Sequence, residues 1–273
     1  MNKKLLTIIL CVLSFANSYA VDFIDPGSYQ NPCECCCPPI EGKAWLDFGN
    51  GWRQDQFKFG RSKCKTQNIG KLDLDAVFLV GQHFMFQVSG EYGRSLFTPR
   101  KSEVCDATFN FGYFFSTDCM GEMLSKVSVS PLVGFGCHHQ LFKARYSGYR
   151  SNYRFTWNGP SFGFALTYLY DEKTYAYFDY QFQWDRFRAR VSDHVFEDRF
   201  LFHVKNSNAY GNQVTFGAIR KVFGNFYLGL KFQYKGFWAN RSHGADSGLE
   251  QHVGHVDMNW NSYYLSSLIG YEF

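Results

Sequence analysis

The sequence predicts an all-β fold: a transmembrane antiparallel β-barrel of about ten strands behind a short irregular Cys-rich N-terminal arm. Three observations carry this. Aromatic residues make up 20% of the 273-residue chain, yet mean hydropathy is only −0.29, so apolar and polar side chains must be finely interleaved. No stretch after Ala20 offers the roughly 18 apolar residues that a membrane helix needs. The chain also ends in a segment that alternates to its last residue, WNSYYLSSLIGYEF. Only helices and closed barrels satisfy all their backbone groups inside a bilayer.

In chain order, residues 1–20 read as a secretory signal peptide. Lys3 and Lys4 start it, Leu5 to Phe15 form its apolar core, and Ser18-Tyr19-Ala20 offers a small-x-small cleavage site. Cys11 follows Leu10, where a lipoprotein signal needs a small residue, so lipidation is not expected. Losing the two lysines of the signal takes the formal net charge from +4 to +2. That near-neutral balance argues against a nucleic-acid partner. Residues 21–43 hold Pro26, Pro32, Pro38, Pro39 and the run Cys33-Glu34-Cys35-Cys36-Cys37, and read as an irregular periplasmic arm. Residues 44–273 form the expected barrel.

Within the barrel, side chains alternate across the strand because successive Cβ atoms point to opposite faces. The first segment, Ala44–Phe59, alternates poorly. The second, Ile69–Val80, sets Leu72, Leu74, Ala76, Phe78 and Val80 against Asp73 and Asp75. In the third, Phe84–Leu96, Phe84, Phe86, Val88 and Tyr92 oppose Gln87, Ser89 and Glu91. In the fourth, Cys105–Ser116, Ala107, Phe109, Phe111, Tyr113 and Phe115 oppose Asp106, Thr108 and Asn110. Lys126–Phe142 and Tyr153–Tyr170 follow. The seventh, Thr174–Val191, is the clearest: Ala176, Phe178, Tyr180, Phe182 and Trp184 alternate with Tyr177, Asp179, Gln181, Gln183 and Asp185. Asn208–Phe223 and Phe226–Ala239 precede the closing strand, where Tyr263, Leu265, Ile269, Tyr271 and Phe273 share one face.

The connections separate a barrel from a soluble sandwich. Gly81-Gln82, Asp171-Glu172 and Gly224-Asn225 are tight, whereas Gly60–Asn68, Lys143–Asn152, Ser192–Ser207 and Asn240–Asn259 are long. Short turns that alternate with long loops place the long loops at one end, as periplasmic turns and extracellular loops do in outer-membrane barrels. Trp184, Trp238, Trp260 and Tyr271, near segment ends, are expected in the aromatic girdles.

With apolar faces toward lipid, the polar faces point inward. Asp73, Asp75, Glu91, Asp106, Asp179, Gln181, Gln183, Asp185, Lys231 and Lys235 are then the expected pore-lining residues. Their acidic excess predicts a preference for cations in any conducting lumen.

The cysteine run is the most distinctive feature of the arm. Disulfides persist outside the cytoplasm. Neighbouring cysteines rarely meet the spacing that a bridge needs. Cys33, Cys35, Cys36 and Cys37 are therefore placed to cross-link to other proteins, or to pair within the chain with Cys119. A metal site is the third reading, but C-E-C-C-C lacks the spaced pairs of a zinc site.

Three resemblances follow from these residues. The ending of the chain, with Tyr271 and Phe273, resembles the C-terminal signature strand that the barrel-assembly machinery reads. Pro160-Ser161-Phe162-Gly163-Phe164-Ala165-Leu166, a two-residue turn, an aromatic strand and a loop with Asp193-His194 loosely resemble omptins, ten-stranded outer-membrane proteases. Omptins carry an Asp–His pair in that loop and an Asp pair on the facing wall. Here Asp193 and His194 are adjacent and point apart in an extended chain, and the facing loop offers only Glu103 and Asp106. A protease is therefore not the expectation, and His138, His139, His252 and His255 read as loop or rim residues.

As a whole the pattern resembles the Protochlamydia outer membrane protein family, chlamydial porins with aromatic C-termini and unusual cysteine content. The resemblance implies diffusion of small solutes and a disulfide-cross-linked envelope. A non-conducting structural or adhesive barrel is the alternative. The expected partners are outer-membrane lipid, the assembly machinery and disulfide-linked envelope proteins, with self-association left open. No cofactor, metal or catalysis is expected.

Overall fold

The computed structural model describes residues 44–59, 65–80, 84–95, 102–116, 126–146, 149–171, 173–193, 200–245 and 252–272. The signal peptide and the arm lie outside these residues. Ten long antiparallel strands close into a barrel. They are β1 (Ala44–Phe59), β2 (Lys65–Val80), β3 (Phe84–Ser95), β4 (Ser102–Tyr113), β6 (Val127–Tyr146), β7 (Tyr149–Asp171), β8 (Thr174–Asp193), β9 (Phe200–Phe223), β10 (Phe226–Ala245) and β11 (His252–Glu272). A two-residue β5 (Phe115–Ser116) resumes the line of β4 after Phe114 and pairs with β6.

Each strand pairs with its neighbours in sequence, and two further pairings complete the ring. β4 joins β6, and β1 joins β11 from Trp45↔Glu272 to Phe59↔Met258. Closure removes the edges that an open sheet would present. Gly224 supports the tight turn from β9 to β10: its φ of 51° lies where a Cβ is penalised, and Gly224-Asn225 forms the whole connection.

Strand length departs from the sequence expectation at the loop end. β6 and β7 stay paired up to Tyr146↔Tyr149, inside the stretch Lys143–Asn152 that reads as a loop. Likewise β9 begins at Phe200, β10 runs to Ala245 and β11 begins at His252. The strands thus project past the apolar band.

Two faces with different chemistry result. Outward stand Trp52, Leu72, Phe109, Phe135, Phe162, Trp184, Phe216, Leu230, Leu265 and Ile269, all exposed. Trp238 stacks on Tyr210, and Tyr271 meets Phe226 edge-on, at opposite ends of this band. The inward face carries three layers of mostly buried side chains. Near the turns lie Leu79, Met85 and Leu132, and separately Ile219, Tyr227 and Leu268. An ionic layer fills the middle. Toward the loops, Phe142, Phe155, Trp157, Phe187, Phe237 and Trp260, with Met258, form a largely aromatic cluster.

Trp260 corrects the girdle expectation. It is 0% exposed and stacks inside the barrel. His138 is likewise a buried interior residue on β6, not a rim residue.

Candidate functional site: the filled lumen

Period two on ten walls brings the charged side chains to one level. β1 contributes Arg53 and Asp55, β2 Lys71, Asp73 and Asp75, β3 Glu91, β4 Asp106, β6 His138, and β10 Lys231 and Lys235. All but Asp75, which is partly exposed, are buried. Buried charges must be paired to be tolerated, and here each has an oppositely charged side chain within ion-pair distance.

Asp106 is one hub. Its Oδ2 accepts from Lys235 Nζ at 2.9 Å and from Arg53 at 3.3 Å, while Oδ1 meets His138 Nδ1. Glu91 is the second hub. Its Oε2 pairs with Lys71, with Lys235 at 2.9 Å and with Arg53 at 3.6 Å. Arg53 also donates to Asp55 at 2.7 Å, and Gln140 donates to the other oxygen of Asp55 at 3.3 Å. Lys231 pairs with both Asp73 and Asp75, and Tyr264 donates to Asp73. Lys71 lies 3.6 Å from the centre of the Tyr264 ring. Gly49 leaves room for this arrangement, since a Cβ there would overlap the Asp73 carboxylate.

His138 couples this layer to the aromatic one. Its ring stacks on Trp260 at 4.0 Å between centroids and on Phe237 at 4.9 Å. Trp157 packs at 5.3 Å from it.

The expected lining residues therefore point inward but do not share one site. Asp73, Asp75, Glu91, Asp106, Lys231 and Lys235 join the ionic layer. Asp179, Gln181, Gln183 and Asp185 lie on the wall formed by β8, where Gln183 donates to the carbonyl of Gly136 at 3.0 Å and to Asp185. Sequence reasoning missed Arg53, Asp55 and Lys71, and read His138 as a loop or rim residue. In the ionic layer the cations Arg53 and Lys71, set against the one added acid Asp55, reduce the predicted acidic excess.

At the turn end, Glu272 accepts from Lys221 at 3.2 Å and from the Tyr227 hydroxyl. Tyr271 faces outward, while Phe273 lies outside the described residues, as do Cys33, Cys35, Cys36, Cys37, Cys119 and His194. Among the described residues, Cys105 and Cys137 are free thiols, and no group of three or more His, Cys, Asp or Glu side chains could hold a metal ion.

A closed ten-stranded barrel with an apolar outer band, aromatic ends and a polar interior is an outer-membrane β-barrel. The family described as Protochlamydia outer membrane protein matches residues 83–273, and the chain belongs to that family. No curated protein matches the chain. Among solved structures it is similar to the outer membrane protease OmpT from Escherichia coli, with a TM-score of 0.61 at 9% identity. That likeness covers 86% of this chain and 97% of OmpT. Neisserial surface protein A gives a TM-score of 0.34 at 12% identity over 85% of this chain and 100% of that one. A major outer membrane protein from Thermus thermophilus gives 0.33 at 11% identity, over 85% and 100% respectively. At such identities the OmpT likeness speaks for the fold alone.

Proposed function

We propose that the chain is a structural barrel of the outer membrane whose lumen is closed to solute flow, anchored in the envelope by disulfides from Cys33, Cys35, Cys36, Cys37 and Cys119. One observation carries the closed lumen: ion pairs and ring stacks span its full width. β4 and β10 are five neighbours apart in either direction round the ring, yet Asp106 and Lys235 touch. β6 and β11 are also five apart, yet His138 stacks on Trp260. A water-filled channel would leave such residues exposed, but Glu91 is 5% exposed and Trp260 0%. Small barrels filled by their own side chains behave in this way, whereas aqueous channels belong to larger strand numbers.

The porin reading from the sequence rests on the same polar lining, in which Asp73, Asp75, Glu91 and Asp106 here meet their own counter-charges. A protease reading gains nothing from Asp106 and His138, because both are sealed from any substrate. Planar-bilayer recording of the refolded barrel tests the proposal. We expect no stable conductance steps. Regular steps with the wild-type protein would restore the porin.

A further inference from the structure

The outer wall carries a second organised feature beyond the aromatic band. Along β8 the outward residues run Ala176, Phe178, Tyr180, Phe182, Trp184 and then Arg186, Arg188, Arg190. The apolar part spans nine residues, roughly 23 Å at about 3.3 Å per residue and about 40° of tilt. That matches the apolar band of an outer-membrane barrel, about 25 Å tall. The first arginine therefore stands where the hydrocarbon ends, on the side away from the tight turns.

Neighbouring strands extend the patch. Arg154 on β7 lies directly opposite Arg190, with Thr156 opposite Arg188 and Asn158 opposite Arg186. Lys143 on β6 stands one diagonal step from Arg154. All five basic side chains are exposed. Among the described residues, the outward faces of β6, β7 and β8 at this level carry no carboxylate, and Arg154, Arg186 and Arg188 have no acidic partner. Like charges directly opposite one another on a sheet repel. An arrangement of this kind calls for an anion. Guanidinium groups bind phosphate with two parallel hydrogen bonds, and a cluster of them fits a phosphorylated group best.

We infer that Arg154, Arg186, Arg188 and Arg190 hold the phosphorylated headgroup of a lipid in the outer leaflet, with its acyl chains lying along Trp184, Phe182 and Phe162. Two features favour a lipid over a soluble anion. The patch adjoins the apolar band with no gap, and Trp184, 59% exposed, offers apolar surface directly beneath it. The inference rests on the membrane orientation and not on whether the lumen conducts.

The test uses the full-length barrel in neutral micelles doped with phosphatidic acid or phosphatidylcholine, with retained lipid counted by native mass spectrometry. Wild-type protein should retain phosphatidic acid in preference. R154Q/R186Q/R188Q should weaken that preference at least ten-fold while keeping the gel shift of a folded barrel. R94Q, on the outer face of β3, should leave it unchanged. If the triple variant does not fold, R186Q and R188Q singly should each lower retention. Equal retention by wild type and variants would overturn the site. Displacement of the lipid by millimolar inorganic phosphate, or equal binding of soluble dextran sulfate, would overturn the lipid assignment and leave a general anion site.

Discussion

Lys235 Nζ donates to Asp106 at 2.9 Å across the full width of the barrel, though 129 residues separate the two in the chain. The same Asp106 also holds Arg53 and His138. Removing one partner of a buried ionic network leaves the others uncompensated, which costs about 3–5 kcal/mol.

Asp106→Asn should therefore destabilise the refolded barrel by about 3 kcal/mol in denaturant titration. The double variant Asp106→Asn with Lys235→Met should be less destabilised than the sum of the singles, with a coupling of about 1.5 kcal/mol or more. Strict additivity would mean that the two side chains do not act on one another.

The aromatic layer makes a separate prediction about permeation. Trp157→Ala with Trp260→Ala removes the largest interior rings next to His138. Such truncations also cost about 3–5 kcal/mol each in a packed core, so folding must be checked by gel shift. Conductance should rise from background to discrete steps in the folded variant. A silent variant would locate the seal in the ionic layer instead.

The arm is tested by chemistry. High-molecular-weight complexes from whole envelopes should collapse to monomer with reductant. Replacing Cys33, Cys35, Cys36 and Cys37 by Ser should abolish them without altering barrel stability. Identical migration with and without reductant would end the cross-linking proposal.

Deleting Phe273 should reduce the amount of assembled barrel and leave degraded protein. Gel shift and membrane fractionation read this directly. Normal levels of folded barrel would show that the ending is not used as an assembly signal.

How much of this was legible in the sequence depended on contrast between the two faces. On β8, Asp179 to Asp185 alternate with Phe178 to Trp184, so the strand and its faces were plain. Above the bilayer the outer face is also polar, as at Arg186 and Arg188. The alternation then loses its chemical contrast, and strand residues such as Phe200–Ser207 read as loop. Trp157, Trp260 and His138 were misjudged or passed over for a related reason. Aromatic residues signalled the lipid side, but the loop end of the lumen is itself aromatic. Arg53 escaped because glycines interrupt the first segment, and Lys71 because Gly70 leaves the alternation weak before Leu72 although Lys71 shares the face of Asp73 and Asp75. No local pattern foretells that Asp106 meets Lys235, since that contact exists only once the ring is closed.

The closed ring has a further consequence for how strand register is checked. A one-residue slip carries every inward side chain of a strand to the lipid face. On β10 that slip would turn Lys231, Gln233 and Lys235 outward together. It would take Lys231 from Asp73 and Lys235 from Asp106 and Glu91, leaving the buried acids short of counter-charge. The spokes across the lumen thus act as a proofreading device: a misregistered barrel closes at the cost of several buried unpaired charges, while the correct one locks.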